Sequence, residues 1–180
     1  PDSNSAHFET RLVEMFQQEY TLQQPGKGLR TIAILDDNPA EQFLYPEFML
    51  FRELLEQAGI LTIIVSPNEL EYDGDCLRYA NIEIDLIYNR HTDFYLADQS
   101  LQPIKEAYLQ NQVVLTPNPR AYGLAADKRL LSLWSDTDFL DEINLDNETK
   151  ALLLNTIPRT EIVTPEKADR LWQQRRALFF

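Results

Sequence analysis

The chain has 180 residues, 44% hydrophobic and 25% charged, which is the balance of one globular domain, or one domain with a short appendage, and excludes a disordered chain. A net charge of −13 lacks the cationic excess that a phosphate backbone or an anionic bilayer attracts, so neither nucleic acid nor a membrane surface is an expected partner. The one cysteine, Cys76, excludes an intramolecular disulfide and points to a reducing cytoplasm, and no run nears the ~20 apolar residues of a bilayer span.

Phe8, Leu12, Met15, Phe16 and Tyr20 recur at helical spacing and predict an amphipathic helix over 6–20. A polar link with Pro25, Gly26 and Gly28 follows, and then the apolar run Thr31–Leu35, read as a buried strand ending in Asp36, Asp37, Asn38 and Pro39. Pro46 suits the first turn of a helix whose apolar face is Phe48, Phe51, Leu54, Leu55 and Ala58, with Gly59 as its C-terminal cap. Leu61–Val65 is the next buried strand, so strand, helix and strand form a βαβ unit with parallel pairing.

A third strand is expected in the second half of 82–88, ending at Asn89, Arg90 and His91. Leu101, Ile104, Ala107 and Tyr108 mark a helix, and 113–115 a fourth short strand. A helix with Leu130, Leu133 and Trp134 inward is expected around 125–134, and one or two more within 136–155. After Pro158, residues 160–163 read as a strand, Thr164 and Pro165 open a helix, and 176–180 begin another strand. The chain stops inside that strand and opens at Pro1 without a Met, so it is expected to be a piece of a larger protein. The predicted fold is α/β, an open and mainly parallel sheet of about four strands flanked by helices.

Ligands of open parallel sheets bind beyond the carboxyl ends of the strands. The polar groups there are Asp36, Asp37 and Asn38 after the first strand, Asn89, Arg90, His91 and Asp93 after the third, and Thr116, Asn118 and Arg120 after the fourth. Arg90 stands out because a guanidinium recognises a carboxylate or phosphate with two parallel hydrogen bonds, although an ion pair with a neighbouring acid is its ordinary structural use. Asx residues in the same places are ordinary turn formers and caps. There is no dinucleotide glycine fingerprint, phosphate-binding P-loop or nucleophile elbow, and His7 and His91 lack metal-ligand spacing, so no metal site is expected. Cys76 reads as a packed side chain.

Two ordered stretches carry a resemblance. One is Asp85-Leu-Ile-Tyr-Asn-Arg90 followed by Asp93-Phe-Tyr-Leu96; the other is Val113-Val-Leu-Thr-Pro-Asn118 followed by Ala126-Asp-Lys128, then Pro158-Arg-Thr160 and a helix running into Arg176. Over roughly residues 30–180 this order resembles the N-terminal portion of ATP-grasp proteins, in particular the glutathionylspermidine synthase-like, circularly permuted group. The resemblance implies a helix and linker over 1–28, a Rossmann-like pre-ATP-grasp domain over 29–156, and the start of a second α/β subdomain, the ATP-grasp domain, over 157–180. It implies a fragment of an ATP-dependent carboxylate–amine ligase acting through an acyl phosphate, with ATP and Mg²⁺ as cofactors of the full-length protein and none bound tightly by the fragment. The expected partners are small carboxylate and amine substrates and the remaining ATP-grasp domain of the same parent chain. By this resemblance Lys128 would contact ATP phosphates, and Asp36, Arg90 and Asn118 would face substrate. The Lys and glycine-rich loop expected beyond Ala177, and the Mg²⁺-binding residues of the C-terminal half, lie outside the pattern present here. The alternative is a stand-alone, non-catalytic Rossmann-like binding or interaction module.

Overall fold

The computed structural model describes residues 3–179. The chain separates into two compact units, one running to Tyr122 and the other beginning at Gly123, whereas the sequence pattern places a division after residue 156.

The first unit opens with α1 (Ser3–Gln23), followed by β1 (Thr31–Leu35), α2 (Tyr45–Gln57) and β2 (Leu61–Val65). A small meander comes next, β3 (Leu70–Tyr72), β4 (Leu77–Tyr79) and β5 (Ile82–Glu83), and then β6 (Leu86–Asn89), α3 (Gln102–Leu109), β7 (Val114–Thr116) and the single turn α4 (Pro119–Ala121). The main sheet has the order β2-β1-β6-β7 with every pair parallel, which bears out the open α/β architecture. The short strands β3, β4 and β5 form a separate antiparallel sheet.

Both faces of the main sheet are covered, and successive residues of each strand serve opposite faces. On one face Ile32, Leu86 and Val114 pack with Val13, Phe16 and Tyr20 of α1 and Leu55 of α2. On the other, Ala33, Leu35, Ile87 and Leu115 pack with Ile104 and Ala107 of α3 and with Leu70 and Leu77 of the meander. All of β1 is buried, as a central strand enclosed on both sides must be. The buried stripe of α1 is Val13, Phe16 and Tyr20, so Phe8 and Met15 lie outside it, a shift of the expected apolar face. Helix α2 ends as its sequence predicts: Gly59 has a φ of +81°, its N–H donates to Glu56 C=O, and the Ile60 N–H reaches back to Leu55 C=O.

The meander is absent from the sequence expectation, because strands of two or three residues are too short to display alternation. Its β3–β4 turn is organised by Asp73, which accepts from the N–H groups of Asp75 (2.9 Å) and Cys76 (3.0 Å) and from Arg78 Nε (3.0 Å). Gly74 sits in this turn with a φ of +100°.

The second unit is helical: α5 (Leu130–Trp134), α6 (Thr137–Glu142), α7 (Asn147–Thr156) and α8 (Pro165–Gln174), with Asp136 and Asp146 capping α6 and α7. Three expectations are corrected here. Leu133 is 39% exposed rather than inward, because the helix around it is only five residues long. Residues 160–163 form no strand; Ile162 and Val163 are exposed, and the described residues of this unit contain no strand for them to pair with. Arg175–Ala177 form a 3₁₀ turn rather than a strand, and Phe180, the last residue of the expected strand, lies outside the described residues.

Phe16 is 1% exposed and Phe8 63% exposed on the same helix. Phe16→Ala should lower stability by about 3–5 kcal/mol, whereas Phe8→Ala should change it by no more than about 0.5 kcal/mol, both read by urea unfolding. The hydrogen bonds from the Cys76 and Asp75 N–H groups and from Arg78 hold the Asp73 carboxyl well below the usual carboxylate range. Its contribution is therefore present at neutral pH and lost as pH falls through that depressed value. The stability difference between wild type and Asp73→Ala should narrow as pH is lowered below about 4, a trend that unfolding curves across pH will reveal.

Candidate functional site at the carboxyl edge of the sheet

β1 and β6 are neighbours, and their following connections leave in opposite directions, to β2 on one side and β7 on the other. This is the topological switch point of an open parallel sheet. Leu35 stands opposite Asn89, and the Arg90 N–H donates to Leu35 C=O at 2.9 Å, so the ladder carries Asp36 and Arg90 to the rim together.

Asp36 is 9% exposed; its N–H donates to Val65 C=O (3.2 Å) and its Oδ1 accepts from the Asp37 N–H (2.8 Å). Asn38 adopts the left-handed conformation, φ +42°, and starts the 3₁₀ turn Pro39–Glu41. Asn89 is 2% exposed. Its Oδ1 accepts from the His91 N–H at 3.1 Å, which orients the amide, and its Nδ2 is buried without a hydrogen-bond partner. A buried donor left unsatisfied costs about 1–3 kcal/mol, so this orphan is a marked feature of the rim.

Arg90 is held on the α2 side. Nη1 donates to the Tyr88 hydroxyl (3.1 Å), Nη2 pairs with Glu47 Oε1 (3.3 Å), and the guanidinium lies 5.5 Å from the Tyr88 ring centre and 6.0 Å from that of Phe48. The two side chains of this ion pair remain 27% and 39% exposed, so solvent and small ligands reach it. Glu47 occupies the first turn of α2. The sequence reading missed it, although an acid one residue after a helix-opening proline, downstream of a strand end, was a usable signal.

The remaining strand-end residues divide by role. His91 Nδ1 accepts from the Asp93 N–H (3.0 Å), leaving Nε2 as the position for its proton. Asp93 uses its carboxylate on the N–H groups of Tyr95, Ala97 and Asp98 and so shapes the loop after β6. Phe94 stacks on Tyr122 at 4.1 Å, fastening that loop to the turn after β7. Asn118 caps α4 by accepting from the Ala121 N–H (2.8 Å). Lys128 belongs to the second unit, where it is exposed in a turn and forms no ion pair among the described residues; neighbouring Asp127 binds the Arg129 side chain. The rim thus gathers Asp36, Asn89 and Arg90 from adjacent strand ends of the first unit. Among the described residues no group of three or more His, Cys, Asp or Glu is placed to hold a metal ion.

The half-exposed Arg90–Glu47 pair contrasts with a second ion pair at the opposite edge. Asp85, 6% exposed, accepts from the backbone N–H groups of Arg30 (2.8 Å) and Thr31 (3.0 Å) and from Arg30 Nη2 (3.0 Å). Glu47→Ala should cost less than about 1 kcal/mol, because its ion pair is open to solvent. Asp85→Ala should cost about 1–3 kcal/mol by leaving the buried Thr31 N–H donor without its partner; chemical denaturation of the two variants checks the contrast.

Compared with protein-family models and with curated protein sequences, the chain matches none.

Proposed function

We propose that the chain is the substrate-side portion of an ATP-dependent carboxylate–amine ligase, and that the β1–β6 rim receives the carboxylate-bearing substrate. The observation that carries this reading is the orphaned Asn89 Nδ2 at the switch point, next in sequence to an arginine that already holds a carboxylate. An amide donor without an acceptor and a guanidinium suited to two-pronged recognition match one ligand chemistry, an anionic oxygen pair. Arg90 exchanges the Glu47 carboxylate for that of the substrate, Asn89 donates to the ligand, and Asp36 lies on the same rim to accept a hydrogen bond from it. Asn118 holds the turn after β7 that borders the rim.

ATP, when bound, supplies the phosphoryl group that activates the carboxylate for attack by an amine. The residue assigned to it is Lys128, a mobile point charge without an ion-pair partner among the described residues, on the strength of the sequence pattern Asn118, Asp127 and Lys128. No residue is assigned to Mg²⁺. Cys76 fits a reducing compartment: burial pushes its thiol up, which keeps it protonated and unreactive. The second reading, an interaction module, rests on one observation, a groove of about 540 Å³ between α1 and α2 where Phe8 and Leu50 are largely exposed.

The test is a heteronuclear NMR titration with succinate, compared with neutral succinamide. Succinate should give saturable shifts at the amides of Asp37, Arg90 and His91, weakened about tenfold in Arg90→Ala and in Asn89→Ala, as expected for charge-assisted hydrogen bonds. Equal binding of succinamide, or no saturable shift at these amides, overturns the assignment of the rim. ATP should shift the amides around Lys128 in wild type and not in Lys128→Ala; identical shifts in both remove Lys128 from the ATP reading.

A further inference from the structure

The amino edge of the main sheet carries a cleft of about 470 Å³, within the range of roughly 300–1,000 Å³ typical of small-molecule sites. Tyr20, Lys27, Arg30, Glu83 and Asp85 line it. Arg30 and Asp85 stand immediately before β1 and β6, so this cleft is at the opposite end of the strands from Asn89 and Arg90.

The charges lining it are not all equivalent. Asp85 is fully engaged by the backbone and side chain of Arg30 and by the Thr31 N–H, and that pair neutralises itself. Lys27 and Glu83 remain. Lys27 forms no ion pair among the described residues, and Glu83 is approached only at 3.9 Å by the Arg30 guanidinium, which already sits 3.0 Å from Asp85. One ammonium and one carboxylate therefore face a shared cavity without pairing with each other. Tyr20 supplies an independent sign. Its ring is packed beside Phe16 and Leu86 and only 4% of the residue is exposed, while the residue lines the cleft. Burial, and then the Asp85 charge, push this phenol up, so it stays protonated and can donate.

We propose that the amino-edge cleft binds a small zwitterion of the α-amino-acid class, its carboxylate on Lys27 and the Tyr20 hydroxyl and its ammonium against Glu83. A ligand with both charges complements both groups at once, whereas a simple anion is repelled by Glu83, which the Arg30 guanidinium meets only at 3.9 Å, and a simple cation is repelled by Lys27.

The experiment is a heteronuclear NMR titration of the full chain with L-alanine, L-glutamate and L-lysine, alongside propionate and propylamine, which each carry one of the two charges. At least one amino acid should give saturable shifts at the amides of Gly28, Arg30 and Gln112. Binding should weaken about tenfold in Lys27→Ala and in Glu83→Gln, in keeping with the loss of one charge-assisted contact. It should also weaken in Tyr20→Phe, which keeps the packed ring. Lys27 and Glu83 are exposed, so those two variants fold irrespective of the outcome for Tyr20. The proposal is overturned if no amino acid shifts these amides, if propionate or propylamine binds as well as the amino acids, or if Glu83→Gln leaves the affinity unchanged.

Discussion

A parallel sheet has to be covered on both faces, and the first unit is organised around that requirement. Strand β1 runs through the middle with all five residues buried. Helices α1 and α2 close one face through Phe16, Tyr20 and Leu55, and α3 with the β3–β5 meander closes the other through Leu70, Leu77 and Ile104. Enclosed in this way, the strands can present polar chemistry only at their ends. Polar groups therefore collect at the two ends: Asn89, with its unpartnered amide donor, and Arg90 beyond the carboxyl ends, and Lys27, Glu83 and Tyr20 around the cleft before the amino ends.

The two ends are built differently. At the amino edge Asp85 binds the first N–H groups of β1 and the Arg30 guanidinium, an arrangement that joins β1 to the start of β6 and in which the carboxylate is nearly shut off from water while the Arg30 side chain stays 70% exposed. At the carboxyl edge Arg90 is stacked near Tyr88 and Phe48 but paired with a carboxylate that is 39% exposed. A buried carboxylate that holds backbone donors is costly to remove and belongs to the fold. A half-exposed pair of the second kind can be exchanged for a ligand at little cost. Glu47 therefore resembles a resting occupant of the position that the proposed substrate carboxylate takes.

The second unit follows another rule. Its helices are short and begin at side-chain caps, Asp136 for α6 and Asp146 for α7. The Thr160-Glu-Ile-Val163 segment has the composition of a strand and is not one, since β-branched residues pair only where an edge and a covered face are offered to them. Trp172 on α8 is 67% exposed beside the guanidinium of Arg175, 4.5 Å from its ring centre, so the apolar surface of this unit is incompletely buried.

Local signals in the sequence were enough to locate β1, β2 and α2, to cap α2 at Gly59, and to place Asp36, Asn89, Arg90 and Asn118 at strand ends, because apolar runs, proline and glycine act within a few residues of themselves. They could not assign those four residues their roles. Asn118 is committed to a helix cap, Arg90 to Glu47, and only Asn89 is left with an open donor. The meander, the missing strand at 160–163 and the pairing of Asp85 with Arg30 were also beyond local reading. Each is decided by a partner far away in the chain, and whether a polar group is satisfied or left open depends on what the folded neighbours bring to it.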